Sequence, residues 1–297
     1  MRILEIMFST AFLAAVVRMT TPLLIAAIGD IYSEQTGVVN FALEGMMLVG
    51  CYTGFAVTYY TGLAAWGIFA AIIVGVLMGL LYSYCTVTLG CNQIVTCLGF
   101  NMAGLGITST LYKYMFGLST ETIQVANVST LFGHSLFFYF ALLLVPVTAI
   151  VLQYTRWGLK LRALGDHPRA AATLGVNVHL NRYISVVICS AAAAIAGASI
   201  TIGGLGYFQE NMVAGRGFIA FSAVIFGRYN PVGTMFACLL FGFVDALQLR
   251  LQAMGTNLPY HLYLMLPYVI TMLALVLIRR RSFVPRAQGQ FYVKDAR

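Results

Sequence analysis

Two carboxylates sit where an apolar chain makes carboxylates expensive. Glu44 lies four residues into an apolar run that begins at Phe41, and Asp245 lies deep in another from Val232 to Leu251. Inside a bilayer an ionisable side chain needs a partner or a use. Glu44 has two readings: an acceptor for a polar solute, or a structural partner for an arginine such as Arg18. Between these carboxylates, Gln93, Cys97, Asn101, Gly104 and Thr108 are spaced four, four, three and four apart and share one helical face. Such a stripe either lines an aqueous path with hydrogen-bonding groups or forms a close packing seam of small residues. Asn40, Glu44, Gln93 and Asn101 are the candidate pathway residues. No set of nucleophile, base and orienting group can be assembled, so no residue is assigned as catalytic. No histidine and cysteine spacing suggests a metal, and there is no G-x-x-x-x-G-K-[ST] phosphate loop.

The third feature is Thr155 to Arg182, the longest polar and basic interruption in the chain. Asp166 can cap a short helix, Pro168 is tolerated in its first turn, and Gly175 can end it in the left-handed region. The helix so bounded is about eight residues, roughly 12 Å at the usual rise. Ala170, Ala171 and Leu174 form a small apolar stripe on it, with His167, Arg169 and Thr173 as polar neighbours. Taken alone, the stretch is either a solvated loop that fixes topology or a helix that docks in a partner's groove.

These residues are held by a chain of 297 residues that is 60% hydrophobic and 9% charged, with a mean hydropathy of +0.87. That composition excludes a soluble globular domain and implies a polytopic membrane protein. Its net charge of +8 does not point to nucleic acid. Arg156, Lys160, Arg162, Arg169 and Arg182 cluster in the central loop, and Arg279, Arg280, Arg281, Arg286, Lys294 and Arg297 in the tail, as cytoplasmic faces do. The six cysteines sit among apolar residues and read as small core side chains. The N-terminus lacks the pattern of a removed signal peptide.

With about 20 apolar residues needed per crossing, spans are expected at 4–28, 41–61, 63–89, 92–116, 135–154, 183–202, 232–251 and 262–278. Pro22 allows a kink in the first, and Gly29 to Asn40 is polar and turn-rich. The segment Gly217–Phe226 is too short to cross unaided, and the glycines at 203, 204, 206, 215 and 217 suggest broken helix at membrane depth. A faint echo links G-V-V-N-F-A-L-E-G from Gly37 to G-R-G-F-I-A-F-S-A from Gly215, the kind of pairing that marks transporter halves. The expected fold is an all-α polytopic membrane protein of about eight transmembrane helices, within a range of eight to ten, with broken or re-entrant segments. A transmembrane domain spans 1–278, including the loop 155–182, and a basic cytoplasmic tail spans 279–297. The loop and the tail lie on the same, inner side.

Four stretches resemble the permease subunits of bacterial ABC importers that serve simple sugars, nucleosides and branched-chain amino acids. They are T-P-L-L-I-A-A-I-G from Thr21, S-E-Q-T-G-V-V-N-F-A-L-E-G-M-M-L-V-G from Ser33, R-A-L-G-D-H-P-R-A-A-A-T-L-G-V-N from Arg162 and F-G-R-Y-N-P-V-G from Phe226. The Ser33 stretch and M-L-P-Y at Met265 are most similar to the nucleoside branch, and to its shorter permease subunit. Gln35 departs from the pattern where an arginine is common, which puts in doubt any ion pair with Glu34.

The resemblance implies a subunit in the bacterial cell membrane that forms the path for a nucleoside-like solute. The partners it implies are a second homologous permease, two ABC ATPases that hold ATP and Mg, and an extracytoplasmic substrate-binding lipoprotein. No cofactor is expected on this chain. By the same resemblance Asp166 to Gly175 is a cytoplasmic coupling helix, with Asp166, His167, Arg169, Ala170, Leu174 and Gly175 at the ATPase contact. The alternatives are a simple sugar such as ribose as the solute, or an ion-coupled secondary transporter working through Glu44 and Asp245.

Overall fold

A computed structural model describes residues 10–117, 123–131, 133–253, 265, 269, 272 and 284–292. Among these residues the chain forms ten helices: α1 (Thr10–Gln35), α2 (Leu43–Thr61), α3 (Ala64–Ser83), α4 (Gln93–Phe116), α5 (Leu136–Tyr154), α6 (Arg156–Asp166), α7 (Pro168–Thr173), α8 (Val178–Ile200), α9 (Arg216–Phe226) and α10 (Pro231–Ala253). A π-helical turn extends α3 through Tyr84–Thr88 and another extends α8 through Thr201–Leu205. The strands β1 (Thr130–Leu131) and β2 (His134–Ser135) make a two-residue antiparallel pairing before α5.

The chain is thus an all-α polytopic membrane protein. Among the described residues six helices are long and apolar enough to cross a bilayer: α1, α3 with its π turn, α4, α5, α8 with its π turn, and α10. The helix α2 is not among them, and the span expected at 262–278 lies almost wholly outside the described residues. The six therefore leave the expected count of about eight open.

The core is built on α8, which packs against α1, α2 and α3. Its middle, from Cys189 to Ser199, consists almost entirely of small residues, and this lets backbones approach closely where no hydrophobic drive from water operates. A Cβ on Gly50 would collide with the backbone of Ala194, and one on Gly197 with the backbone of Met47. The outward faces of α3, α4 and α5 carry exposed Trp66, Phe69, Leu77, Ile94, Met102 and Leu143, as suits a surface against lipid or a neighbouring subunit.

Several boundaries differ from the sequence reading. Gly29 to Gln35 is not a turn but the continuation of α1, with Asp30, Ser33 and Glu34 fully buried in it. Polar residues there lower the hydropathy without breaking the helix, because each has a local use described below. The helix α8 begins at Val178 rather than Tyr183, so Arg182 is not a loop cation but a buried helical residue. Four cysteines are buried, but Cys85 is half-buried and Cys91 exposed, at the end of α3 where helix gives way to solvent-facing turn.

Candidate functional site

The polar residues singled out in the sequence gather around two of the breaks in regular helix, between α1 and α2 and between α8 and α9. The first runs from Thr36 to Ala42. Gly37 ends α1 in the left-handed region at φ 80°, and its backbone N–H donates to Glu34 O at 3.0 Å. Buried backbone polar groups must find partners, and here side chains from other helices supply them. Gln93 Oε1 accepts from Val39 N at 2.8 Å, Tyr82 Oη donates to Val39 O at 2.6 Å, and Cys97 Sγ accepts from Phe41 N at 3.1 Å. Asn101 donates from Nδ2 to Phe41 O at 2.9 Å and accepts on Oδ1 from Gly45 N at 2.8 Å. Asn40 turns its amide inward, with Oδ1 accepting from Ala42 N at 3.1 Å and Nδ2 directed at Cys189 Sγ, also at 3.1 Å.

The stripe on α4 therefore faces the first break and α2 as a seam. Gln93, Cys97 and Asn101 each hold backbone, and Gly104 lies against Gly45, where a Cβ would stand 2.8 Å from the Gly45 Cα. Thr108 bonds within its own helix to Gly104 O.

The second break runs from Gly206 to Gly215, and its far end is fixed by Glu44. Glu44 Oε1 accepts from Gly215 N and Oε2 from Gly217 N, both at 2.8 Å. A carboxylate on the first N–H groups of α9 satisfies orphan donors and complements the positive end of the helix dipole. The partner of Glu44 is thus a helix terminus rather than Arg18. Arg216, next to those N–H groups, lies within electrostatic reach of Glu44 and of half-buried Asp245. Phe41 from the first break packs on Phe221 of α9, with ring centroids 4.0 Å apart. The two segments that echo each other in sequence thus meet.

The basic loop is two helices rather than one. Thr155 caps α6, accepting from Gly158 N at 3.1 Å, and Leu161, Leu164 and Gly165 form its buried face. A Cβ on Gly165 would collide with the carbonyl of Gln35, so α6 rests directly on the end of α1. Asp166 closes α6 and does not cap α7. The cap position is His167, without a side-chain cap bond, Pro168 occupies the first turn, and Gly175 turns the chain at φ 83°. The apolar stripe splits: Ala171 packs inward on Leu164, Val178 and Tyr292, while Arg169, Ala170 and Leu174 face out. Leu174 is 85% exposed.

Residues 284–292 form a strap across this end. Ala287 N donates to Gly165 O at 2.8 Å and Gly289 N to Gly37 O at 2.9 Å. Gln288 donates to Glu34, whose other oxygen accepts from Asn40 N at 3.3 Å. Arg182 crosses from α8 to donate to Thr36 O at 3.2 Å and Gln290 O at 3.1 Å. Gln35, standing where the family pattern has an arginine, donates to Tyr229 O at 3.1 Å. Burial, with Glu34 adding to it, pushes the Tyr229 hydroxyl up to about 12, so it stays neutral beside this network. Arg182, Gln288 and the fully buried Glu34 are the residues that sequence reasoning missed as a set. Arg182 was masked by the cations before it, and Gln288 carries no local signal at all.

A membrane bundle with two broken helices and a solvent-facing helical pair fastened to its ends is the architecture of a transporter's membrane subunit. The chain belongs to the family described as branched-chain amino acid transport system / permease component, whose model matches residues 12–275. The guanosine ABC transporter permease protein NupQ of Bacillus subtilis is 31% identical over 300 residues, covering 93% of this chain and 94% of that one. The nucleoside ABC transporter permease protein NupC of Lactococcus lactis is 32% identical over 299 residues with the same coverage. A putative glucose ABC transporter permease of Haloferax volcanii is 33% identical over 265 residues, covering 84% of this chain and 80% of that one. The two bacteria also hold more distant matches with the same printed descriptions, NupP at 25% and NupB at 22% identity. No solved structure matches the chain significantly. The protein is a permease subunit of an ABC importer.

Proposed function

We propose that this permease carries a nucleoside-like solute, and that α7 is the surface through which separate ATPase subunits drive it. The observation behind the coupling role is the placement of α7. Its outer face is bare, with Leu174 85% exposed and Arg169 beside it, while its inner face and α6 are bonded to α1, α8 and the strap. These bonds run from α6 and the strap to Gly37 and Glu34, and through Arg182 to Thr36, at the first helix break. ATP and Mg are assigned to the partner chains, α7 and the C-terminal strap to the cytoplasmic side. A second, homologous permease completes the path, in keeping with the paired relatives in two bacteria. An extracytoplasmic lipoprotein delivers the solute. Asn40, Glu44, Gln93 and Asn101 act on the path by fixing the backbone that borders it.

The nucleoside assignment follows the two relatives that match over 93% of the chain. A sugar is the second reading, favoured by the relative named for glucose. Uptake of radiolabelled guanosine, ribose and glucose by cells expressing the complete transporter separates them: guanosine alone is expected to accumulate, and accumulation of a sugar alone overturns the nucleoside reading. For coupling, the double variant Arg169→Glu, Leu174→Asp is expected to reach the membrane in normal amount with uptake reduced at least tenfold. Unchanged uptake in that variant ends the docking role.

A further inference from the structure

A cavity of about 260 Å³ opens between the first half of α1, the β1–β2 hairpin, the start of α5 and the π turn after α8. It lies at the end of the bundle remote from α7. Arg18 on its wall is 17 residues before Gln35, which α6 touches, and so about 25 Å from that end at 1.5 Å per residue.

The wall is cationic. Arg18, Arg216 and His134 line it, together with Asn127, Ser135 and Phe138, and no carboxylate does among the described residues. Arg18 is exposed within a membrane-length helix, and no described residue bonds or pairs with it. The single ion pair among the described residues is Lys113–Glu210, elsewhere on the molecule. Arg216 has Met19 Sδ at 3.6 Å, with half-buried Asp245 and Glu44 within electrostatic reach, although the Glu44 oxygens already accept from Gly215 and Gly217. The Ser135 hydroxyl is buried without a hydrogen-bond partner. A guanidinium without a partner, as Arg18 has, is not left against hydrocarbon, so this space holds water and whatever the water gives way to.

We propose that the cavity is an outer binding site for the solute, and that Arg18 and Arg216 receive the carbonyl edge of a nucleobase, best matched by O6 and N7 of a 6-oxopurine nucleoside. The inference rests on the nucleoside reading above and adds the edge that is recognised. A guanidinium is a planar, donor-only fork that fits two adjacent acceptors, and it takes O6 and N7 of guanine in that way. Adenine offers an amino donor in place of O6, so donor meets donor. The volume is just under the range that encloses drug-sized ligands, which suits a base with its sugar left toward the opening.

The test uses the complete transporter in proteoliposomes, with uptake of guanosine and of adenosine well below half-saturation, each normalised to the unmodified protein. Arg18→Gln is expected to lower guanosine uptake about tenfold and adenosine uptake less than twofold, with the variant present in normal amount. Arg18→Lys, which keeps the charge and loses the fork, is expected to lower guanosine uptake severalfold and serves if Arg18→Gln does not assemble. An equal fall for both solutes overturns the proposal and makes Arg18 a subunit contact. Unchanged uptake with less co-purifying anionic phospholipid overturns it in favour of a lipid headgroup. If the unmodified transporter moves a sugar and neither nucleoside, the nucleoside reading itself falls, and this inference with it.

Discussion

The two interruptions of regular helix have the same outline and opposite construction. From Thr36 to Ala42 the backbone is buried and stitched by side chains from α1, α3, α4 and α8, so that Tyr82, Gln93, Cys97, Asn101 and Arg182 each hold one or two peptide groups. From Gly206 to Gly215 much of the backbone faces outward. Two non-glycine residues in it, Asn211 and Ala214, sit in the left-handed region at φ 56° and 49°, and one carboxylate, Glu44, ties its end to the rest. A backbone stitched by side chains from four helices has few alternatives. Among the described residues the second break has side-chain bonds to its backbone only at the Glu44 end, and it is otherwise held by the Phe208 ring among Tyr52, Phe55 and Tyr112 and by the Lys113–Glu210 ion pair. The first is therefore the more densely fastened of the two and the second the more loosely fastened, with Glu44 as the joint between them.

Asn101→Leu attacks the densely fastened break and carries the largest expected effect on stability. It strands Phe41 O and Gly45 N in a dry seam, at about 1–3 kcal/mol for each group, and is expected to lower the melting temperature of the purified protein more than any other change named here. Glu44→Ala removes two charge-assisted bonds, but water can reach the second break, so about 1–3 kcal/mol of stability is expected to be lost while uptake falls further than in Asn101→Leu. Equal stability losses in the two variants would erase the distinction between the breaks. Gln288→Leu leaves the buried Glu34 carboxyl without its strap partner, and a loss of about 1–2 kcal/mol is expected in denaturant titrations. The smallest effect belongs to Ala214→Gly, which relieves a left-handed alanine and is expected to add up to about 1 kcal/mol. If it also slows uptake, the strain at Ala214 has a part in transport.

The sequence made the helices legible wherever apolar runs were long, because a bilayer demands about 20 such residues and little else. It placed α3, α4 and α5 within a residue or two of their observed starts, and it found α9 as a short helix after a glycine-rich break. It failed at Gly29 to Gln35 and at Arg182, where polar residues inside the bundle read as surface. Their partners, Asn40, Thr36, Gln288 and Gln290, are either distant in the chain or plain in character, and no local pattern announces a bond across 254 positions such as Glu34 to Gln288. For the candidate site, the spacing on α4 correctly put Gln93, Cys97 and Asn101 on one face. What it could not give was the identity of their partner, since a side chain that binds backbone and one that binds a solute look alike in sequence. The basic loop shows the same limit, because Ala170 and Ala171 are equivalent on paper and only packing on Tyr292 sends one of them inward.

The strap has a consequence for how the molecule is made. Residues 284–292 follow in translation everything they fasten, so Gly37, Gly165, Glu34 and Arg182 are all synthesised and inserted before the peptide that joins them leaves the ribosome. Until then this end of the bundle lacks the hydrogen bonds that residues 284–292 bring to it.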